Sequence, residues 1–270
     1  MNIRNTIRAS IFRGSNVLYN HAMNFFSNLF SSVPKSGLAN LSVLKTDIHS
    51  HLIPGIDDGA QTMEDTLALV TALHQLGYQK VITTPHVMSD YYKNTPEIIL
   101  GGLEKVRKAV KEAGIEIEIE AAAEYYLDYN FEIKIAQKQL LTFGKNHVLF
   151  ELPFLSPPES LNKVVFELQT NGYKPVLAHP ERYSFWYKDF EKFVELKEKG
   201  VLFQLNLNSL SGHYSVDTKK MAERMVDENM IDLLGTDCHN LNHIKLLHNC
   251  LTEKYLHKIL QKEDLLNKVL

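Results

Sequence analysis

Two pairs of potential metal ligands lie far apart in the chain, each with one residue between its two members. The first pair is His49 and His51, and the second is Asp237 and His239. Side chains two residues apart on an extended strand point to the same face, so both members of a pair can reach one ion. One such pair often arises by chance, whereas two pairs at the ends of predicted strands indicate a metal site.

Other histidines and carboxylates also stand where short apolar runs end. These residues are His86, Glu124, Glu151 and His179. In a parallel barrel the carboxyl ends of the strands converge at one rim, where active sites lie. Since six of the seven predicted strands end in a potential ligand, we expect all of these side chains to share one site.

Asp57 and Asp58 add two carboxylates shortly after the first histidine pair. We expect Asp58 to be a ligand, although the sequence alone also allows Asp57 in that role, or both residues as parts of a turn. Mixed imidazole and carboxylate ligands without thiolate suit manganese, iron, zinc or magnesium.

The expected ligand set carries four carboxylates beside five neutral histidines. The carboxylates belong to Asp58, Glu124, Glu151 and Asp237. One divalent ion cannot balance four negative charges, whereas three such ions leave a site charge of about +2 that attracts a phosphate dianion. The ligand set therefore predicts a polynuclear cluster that acts on phosphoesters.

Seven short apolar runs must position these residues, with longer amphipathic segments between them. The predicted strands span residues 43–49, 80–84, 115–123, 148–152, 175–178, 202–207 and 231–235. The predicted helices span residues 62–76, 96–112, 131–139, 160–171, 189–199, 217–229 and 249–268. This strict alternation predicts an α/β fold with a parallel sheet. An open doubly wound sheet and a closed barrel both fit, and the polar residues at the strand ends favour the barrel.

The amino-acid composition limits the classes of protein to which this chain can belong. The chain has 270 residues, of which 44% are hydrophobic and 23% charged, as in a soluble globular domain. A net charge of −3 argues against nucleic acid as a partner. Cys238 and Cys250 match neither a disulfide framework nor a zinc ribbon, so a reduced cytoplasmic compartment is expected. By strand alternation, Cys238 should point into the core.

Residues 1–40 are predicted to be a basic extension, and residues 41–270 the catalytic domain. The first 46 residues carry five basic side chains and no acidic one. Asn20 and Asn24 interrupt the apolar run of this segment, which therefore lacks the core of a signal peptide. A disordered or loosely docked extension is favoured. The alternative is an amphipathic helix in residues 1–36 that contacts a partner or the inner face of the membrane.

Several motifs occur in order over roughly residues 44–245. They are Asp47-x-His49-x-His51, Thr84-Pro85-His86, Glu124, Glu151, Ala178-His179-Pro180-Glu181-Arg182 and Thr236-Asp237-Cys238-His239-Asn240-Leu241. This set resembles the polymerase and histidinol phosphatase (PHP) superfamily. Ile56-Asp57-Asp58-Gly59 and the segment from His179 to Tyr183 are most similar to its manganese-dependent bacterial protein tyrosine phosphatases (CpsB/CapC-like), which are encoded with capsule and exopolysaccharide genes.

The resemblance implies a distorted seven-stranded, TIM-like (β/α)7 barrel that binds three divalent ions, with manganese favoured over magnesium, iron or zinc. By position in the motifs, the three ligand sets are His49, His51, Glu124 and Asp237; Glu124, Glu151 and His179; and Asp58, His86 and His239. The residues expected to serve catalysis are Arg182, Asp58 and His86. Arg182 would grip two phosphate oxygens; the alternative for it is a surface ion pair.

The resemblance also implies a reaction and a partner. A metal-bridging hydroxide would hydrolyse phosphotyrosine. The phenolate leaving group, with a parent pKa of about 10, makes little demand on a general acid. The expected protein substrate is a tyrosine kinase of capsule or exopolysaccharide biosynthesis. Two alternatives are a small-molecule phosphatase or phosphodiesterase on the same fold, and a regulatory binding module without activity.

Two further features leave alternatives open. Where relatives often place another phosphate-facing arginine, this chain has Ile244, followed by Lys245. Isoleucine cannot bind phosphate, and Lys245 could take that role. An aromatic run either flanks a phenyl-bearing substrate or packs the barrel rim; it comprises Tyr183, Phe185, Trp186 and Tyr187.

Overall fold

Nine short strands form the centre of the molecule in the computed structural model, which describes residues 37–270. They are β1 (Thr46–Asp47), β2 (Lys80–Thr83), β3 (His86–Val87), β4 (Glu118–Ala121), β5 (Glu124–Tyr126), β6 (His147–Glu151), β7 (Lys174–Ala178), β8 (Leu202–Asn206) and β9 (Leu233–Gly235). Every ladder between them is parallel. The predicted parallel α/β architecture is therefore confirmed.

The strands belong to two sheets, with the orders β1-β2-β4 and β3-β5-β6-β7-β8-β9. The division arises because β2 and β4, which match the second and third predicted strands, are each followed after a short break by a strand that was not predicted, β3 and β5. Pro85, which has no N–H to give to a ladder, separates β2 from β3. Two hydrogen bonds cross the break: the Ala122 N–H donates to the Thr83 carbonyl at 2.9 Å, and the Glu124 N–H donates to the Pro85 carbonyl at 3.1 Å.

The outer strands of the two sheets, β1 and β9, approach each other just beyond their carboxyl ends. Ser50 and Cys238 form an isolated parallel bridge there. The Asp237 N–H also donates to the carbonyl of His49 at 2.8 Å. The sheets thus curl towards each other. The expected distorted seven-stranded, TIM-like barrel is confirmed as a curled α/β fold of parallel strands; because the described residues form two sheets, the count of seven strands is not confirmed.

Helices connect the strands and cover their outer faces. They are α1 (Met63–Gln75), α2 (Pro96–Glu112), α3 (Tyr129–Ala136), α4 (Leu161–Thr170), α5 (Glu191–Glu198), α6 (Leu207–Leu210), α7 (Val216–Asp227), α8 (Leu241–Cys250) and α9 (Lys254–Leu260). Short 3₁₀ turns occupy Leu41–Leu44, Pro180–Arg182, Ser184–Trp186 and Leu266–Val269. Thr62 and Asp65 form a capping box at the start of α1, which satisfies amide groups that the first turn leaves unpaired.

The prediction of one last helix over residues 249–268 is wrong. The chain forms α8, α9 and a 3₁₀ turn instead. Asn240 starts α8 earlier than expected, since its side chain accepts from the Asn242 and His243 amides. This side chain is an N-cap that the sequence prediction overlooked.

The curled sheets enclose an apolar interior that lies beneath the polar strand ends. It contains Ile48, Ile82, Ala122, Phe143, Leu149, Val176, Ala178 and Leu233, with the partly buried Leu266 and Leu270 of the C-terminal segment against it. The opposite faces of the strands pack against the helices in a larger apolar cluster. This packing leaves the carboxyl ends of the strands as the place where polar side chains gather.

The folded body includes residues before position 41. Ala39 is buried, and its N–H donates to the carbonyl of Leu251 at 2.8 Å. Residues 1–36, where the flexible or amphipathic extension is predicted, lie outside the described residues. Between Gly37 and Leu270, no helix combines the length and apolar character that a membrane crossing requires.

Asn267 joins the two outer strands at their amino-terminal side. Its fully buried side chain accepts from the Leu234 N–H at 2.8 Å and donates to the carbonyls of Leu234 and Thr46 at 2.7 and 2.9 Å. One side chain thus replaces the ladder that β1 and β9 do not form there. A buried backbone group that loses its partner retains its desolvation penalty.

We predict that Asn267→Ala destabilises the protein by about 2–4 kcal/mol, because three buried backbone groups lose their partner. Urea unfolding followed by circular dichroism measures this loss. The matched control is Asn162→Ala, which removes an exposed amide and should change stability by less than about 0.5 kcal/mol. Equal stability of the two variants would contradict the proposed clamp.

Candidate metal centre

All nine side chains predicted to bind metal meet at the carboxyl ends of the strands. Within the described part of the chain, their ligand atoms form four groups, each with all atoms inside 4.8 Å of one another. The groups are His51, Asp58, His86 and His239; His49, His51 and Glu124; His49, His179 and Asp237; and His86, Glu124 and Glu151. Because the groups share members, they form one continuous cluster.

Glu124 stands at the centre of this cluster and is fully buried. Its Oε2 atom lies 3.1 Å from His49 Nε2 and 3.1 Å from His86 Nδ1. The same atom lies 3.6 Å from His51 Nε2, and Oε1 lies 3.0 Å from His179 Nε2. One carboxylate therefore contacts or closely approaches four of the histidines.

Glu151 and Asp237 flank Glu124 on either side. Glu151 approaches His86 Nδ1 at 3.3 Å and His179 Nε2 at 3.9 Å. Asp237 Oδ1 lies 3.5 Å from the Nε2 atoms of both His49 and His51. The three buried carboxylates thus form a row, with an imidazole between each neighbouring pair.

The two candidate aspartates of the first loop have different surroundings. Asp58 Oδ1 lies 3.5 Å from His86 Nε2 and 3.4 Å from His239 Nε2. Asp57 Oδ2 instead lies 2.8 Å from His51 Nδ1 and accepts from the His86 N–H at 3.1 Å. Asp58 therefore faces the cluster, while Asp57 holds the far side of the His51 ring.

A chain of amide side chains orients His49 and was missed by the sequence analysis. The Nδ1–H of His49 donates to Gln204 Oε1 at 2.7 Å, which leaves the Nε2 lone pair for the cluster. Gln204 donates to Asn206, and Asn206 donates to Asp237 Oδ2 at 2.6 Å. The available signal was two polar residues, spaced by two, in the otherwise apolar strand β8.

Two glycines allow the backbone to approach the histidines closely. A Cβ atom on Gly59 would lie 2.3 Å from the Cβ and carbonyl oxygen of His51. A Cβ atom on Gly235 would lie 2.6 Å from the Cβ of His49 and from Nε2 of Gln204. Any larger residue at these positions must displace a cluster histidine or its partner.

Two cluster residues have left-handed backbone conformations. The φ angle is 36° at His179 and 49° at Asp237, a region that residues with a Cβ seldom adopt. His179 directly follows β7, and Asp237 lies two residues after the end of β9. Such strain persists only where the surroundings enforce it, and it concentrates at functional sites.

The carboxylates and histidines of the cluster shift one another's pKa values. Burial alone would lower the pKa of His49, but attraction to Glu124 and Asp237 raises it to about 9. Nearby carboxylates likewise overcome burial to raise the pKa of His86 to about 10 and that of His239 to about 9. Burial alone would raise the pKa of Glu124, but His49, His86 and His179 hold it well below its usual value.

The arrangement of donor atoms fits divalent cations. His51 Nε2 is buried and has no hydrogen-bond partner among the described residues, although two carboxylate oxygens lie 3.5 and 3.6 Å away. Atoms that each bind one ion at about 2.1 Å lie about 3–4 Å from one another. Imidazole and carboxylate donors without thiolate also match such ions.

Arg182 lies beside the cluster. Its Nη1 donates to Asp237 Oδ2 at 3.2 Å, and its side chain is 25% exposed. The guanidinium carbon lies 4.3 Å from the ring centre of Tyr214 and 4.9 Å from that of Phe154. A guanidinium has five N–H groups in a rigid plane, so the ion pair with Asp237 is compatible with phosphate binding.

The position at which relatives often have another arginine belongs to the core in this chain. Ile244 is buried, and the exposed Lys245 contacts Asn242 at 3.4 Å. His243 lies beside the site. Its Nδ1 approaches the Asp237 carbonyl at 3.0 Å, and its ring centre lies 5.4 Å from that of His239.

The predicted aromatic run mostly packs the rim. Tyr183 and Trp186 are buried, and Phe185 is partly buried against the core. Tyr187 donates its hydroxyl to the Glu181 carbonyl at 2.8 Å. Packing is thus the alternative that the structure favours for this run. Cys238 is also buried in the core, as strand alternation predicted.

Comparison with known proteins identifies relatives of this chain. The chain is 30% identical over 218 residues to the tyrosine-protein phosphatase YwqE of Bacillus subtilis, covering 80% of this chain and 84% of the relative. It is 26% identical to the putative tyrosine-protein phosphatase CapC of Staphylococcus aureus, over 72% of this chain and 77% of the relative.

A solved structure has the same fold. It comes from work on YwqE of Bacillus subtilis and CpsB of Streptococcus pneumoniae, described as unique metal-dependent tyrosine phosphatases. It superposes with a TM-score of 0.73 at 27% identity and covers 83% of this chain and 94% of that one. The family model for capsular polysaccharide synthesis, CpsB/CapC, matches residues 45–266. The chain therefore belongs to the CpsB/CapC family.

Proposed function

We propose that this protein is a metal-dependent protein tyrosine phosphatase. The observation that carries the proposal is the buried row of carboxylates and histidines around Glu124, with Arg182 beside it. Membership of the CpsB/CapC family supports it, since the relatives compared above are tyrosine-protein phosphatases. A regulatory module without activity is disfavoured, because all nine expected ligands are present and clustered.

The proposed cofactor is a set of three divalent cations, with manganese favoured. The proposed ligand sets remain those of the family pattern, with Asp58 rather than Asp57 in the third. Four clustered carboxylates support more than one ion, because a single ion would leave the buried site strongly negative. When bound, such ions lower the pKa of water and offset negative charge on the phosphoryl group.

The residues of the chain then have separate roles. Gln204 and Asp57 fix the ring orientations of His49 and His51, so that each presents Nε2 to the cluster. Arg182 binds phosphate oxygens and stabilises the charge that spreads over them during transfer. The bond between phosphorus and the tyrosine oxygen breaks as a water oxygen bonds to phosphorus; the proton lost by that water passes to solvent, and the phenolate leaves with little need for a proton from the protein.

The proposed substrate is phosphotyrosine on a tyrosine kinase of capsule or exopolysaccharide biosynthesis. The family's connection with capsular polysaccharide synthesis supports this choice. A cytoplasmic location, at the inner face of the membrane, belongs to the same proposal. Its support is that both cysteines of the chain are unpaired, as in reducing compartments. Peripheral membrane contact is proposed for residues 1–36.

The first prediction concerns the reaction itself. Metal-stripped protein given manganese should hydrolyse phosphotyrosine faster than phosphoserine or sugar phosphates. Glu124→Gln should lower this activity by at least about 100-fold, because the central ligand contributes more than its outer partners do. Glu116→Gln, which alters an exposed carboxylate, is the control and should retain full activity.

Three results would count against the proposal. Turnover confined to sugar phosphates would indicate a small-molecule phosphatase, and turnover confined to diesters would indicate a phosphodiesterase. Full activity of Glu124→Gln would remove the cluster from the reaction.

The second prediction tests the orientation of His49. Gln204→Leu removes the acceptor for Nδ1–H, so manganese affinity should fall by about 10- to 100-fold. Gln204→Glu keeps an acceptor and should bind more tightly than the leucine variant. Competition with a fluorescent chelator measures the affinities. The exposed Gln137 supplies the control Gln137→Leu, and equal affinity of Gln204→Leu and this control would exclude the orienting role.

The third prediction concerns pH. Without cations, His49, His86 and His239 have pKa values of about 9 to 10, so they carry protons at pH 7. Ligand histidines must be neutral, and bound cations therefore displace these protons. Manganese affinity should rise from pH 7 to pH 9 by about tenfold per pH unit for each displaced proton, and level off above the raised pKa values.

Chelator-buffered titrations at pH 7, 8 and 9 under anaerobic conditions check this dependence. Calorimetry in two buffers with different ionisation enthalpies counts the protons released on binding. An affinity that stays constant from pH 7 to pH 9, with no proton release, would show that the histidines are neutral before the cations bind.

A further inference from the structure

Phe154 is an exposed aromatic residue at the mouth of the metal centre. It lies three residues after Glu151, in the loop between β6 and α4, and is 43% exposed. Its ring centre is 5.8 Å from that of His179, with the two ring planes 21° apart. The guanidinium carbon of Arg182 lies 4.9 Å from the same ring. Phe154 thus contacts both a candidate ligand and the candidate phosphate-binding residue.

The loop holds this ring in a defined place. Pro153 precedes Phe154, and Pro157 and Pro158 follow it, which fixes φ at three positions of a short segment. The Leu152 N–H donates to the hydroxyl of Tyr183 at 2.9 Å, just before the loop begins. The Phe154 ring also packs 5.7 Å from the Tyr183 ring. The aromatic face is therefore positioned before any ligand arrives.

Phe154 and Tyr214 lie against the same guanidinium, at 4.9 and 4.3 Å from Arg182. Tyr214 is tied to the cluster, since its hydroxyl lies 3.3 Å from Asp237 Oδ2. Phe154 is the more exposed of the two rings and has no polar atom to satisfy. A phosphate bound by Arg182 would place its ester substituent at the open side of the site, within reach of the Phe154 ring.

We propose that Phe154 determines the preference for aryl over alkyl phosphates by stacking against the phenyl ring of phosphotyrosine. This inference rests on the proposed function and adds a residue to it. Paired aromatic rings attract one another more strongly than their buried area alone accounts for. The side chain of phosphoserine has no ring and gains nothing from this contact. Selectivity then comes from the loop after β6, while the cluster supplies the chemistry.

The test compares Phe154→Leu with wild type on a phosphotyrosine peptide and on the same peptide with phosphoserine. Leucine keeps an apolar side chain but lacks an aromatic face. We expect kcat/KM for phosphotyrosine to fall by about three- to tenfold, with the phosphoserine value within about twofold of wild type. Phe154→Trp should restore the preference. Phe166→Leu, which removes a ring that is 66% exposed on α4, is the matched control.

A binding measurement accompanies the kinetics. Calorimetry on manganese-loaded protein compares phenylphosphonate with methylphosphonate, neither of which is hydrolysed. Phe154→Leu should weaken binding of the phenyl compound alone.

Equal loss for both substrates, or for both phosphonates, would mean that Phe154 only positions Arg182, and would overturn the inference. Unchanged selectivity in Phe154→Leu would overturn it as well. If wild type fails to hydrolyse phosphotyrosine, the proposed function fails, and the phosphonate comparison still decides whether Phe154 recognises a phenyl ring.

Discussion

The buried carboxylate of Glu124 constrains the whole site. A fully buried negative charge is tolerated only where opposite charges or hydrogen-bond donors surround it. Here the surrounding groups are histidines, among them His49, His86 and His179 at 3.0–3.1 Å. His86 lies in β3, and His49 and His179 follow the ends of β1 and β7, so these strand ends must meet within a few ångströms. The curl of the sheets and the break at Pro85, which brings His86 into β3, achieve this meeting.

The same constraint explains features that would otherwise weaken the fold. Gly235 stands where a side chain would collide with His49, although glycine in a strand contributes no packing. His179 and Asp237 accept left-handed backbone conformations. Asn267 then joins β1 to β9 at the far side of the sheets. Stability is thus supplied at the amino ends of the strands, while the carboxyl ends retain strain and close polar contacts.

Sequence patterns predicted the parallel α/β fold, because alternating strands and helices follow from hydrophobic periodicity. They also named the residues that the structure brings together, because parallel strands deliver their last residues to one edge. They favoured Asp58 as a ligand but could not exclude Asp57, since neighbouring residues in a loop have no fixed direction. Nor could they find Gln204 or Phe154, whose roles depend on distances across the fold rather than on spacing along the chain. The break into two sheets was missed because a two-residue strand has no periodicity to detect.

Asp237 connects the two halves of the proposed chemistry. Its Oδ1 atom faces His49 and His51, whereas Oδ2 faces Arg182, Asn206 and Tyr214. A carboxylate that faces cations on one side and a guanidinium on the other fixes the distance between them. In the proposed chemistry, a phosphate held by Arg182 would therefore lie next to the cations. Preorganised charge of this kind is an effective source of catalysis, because it requires no rearrangement as the reaction proceeds.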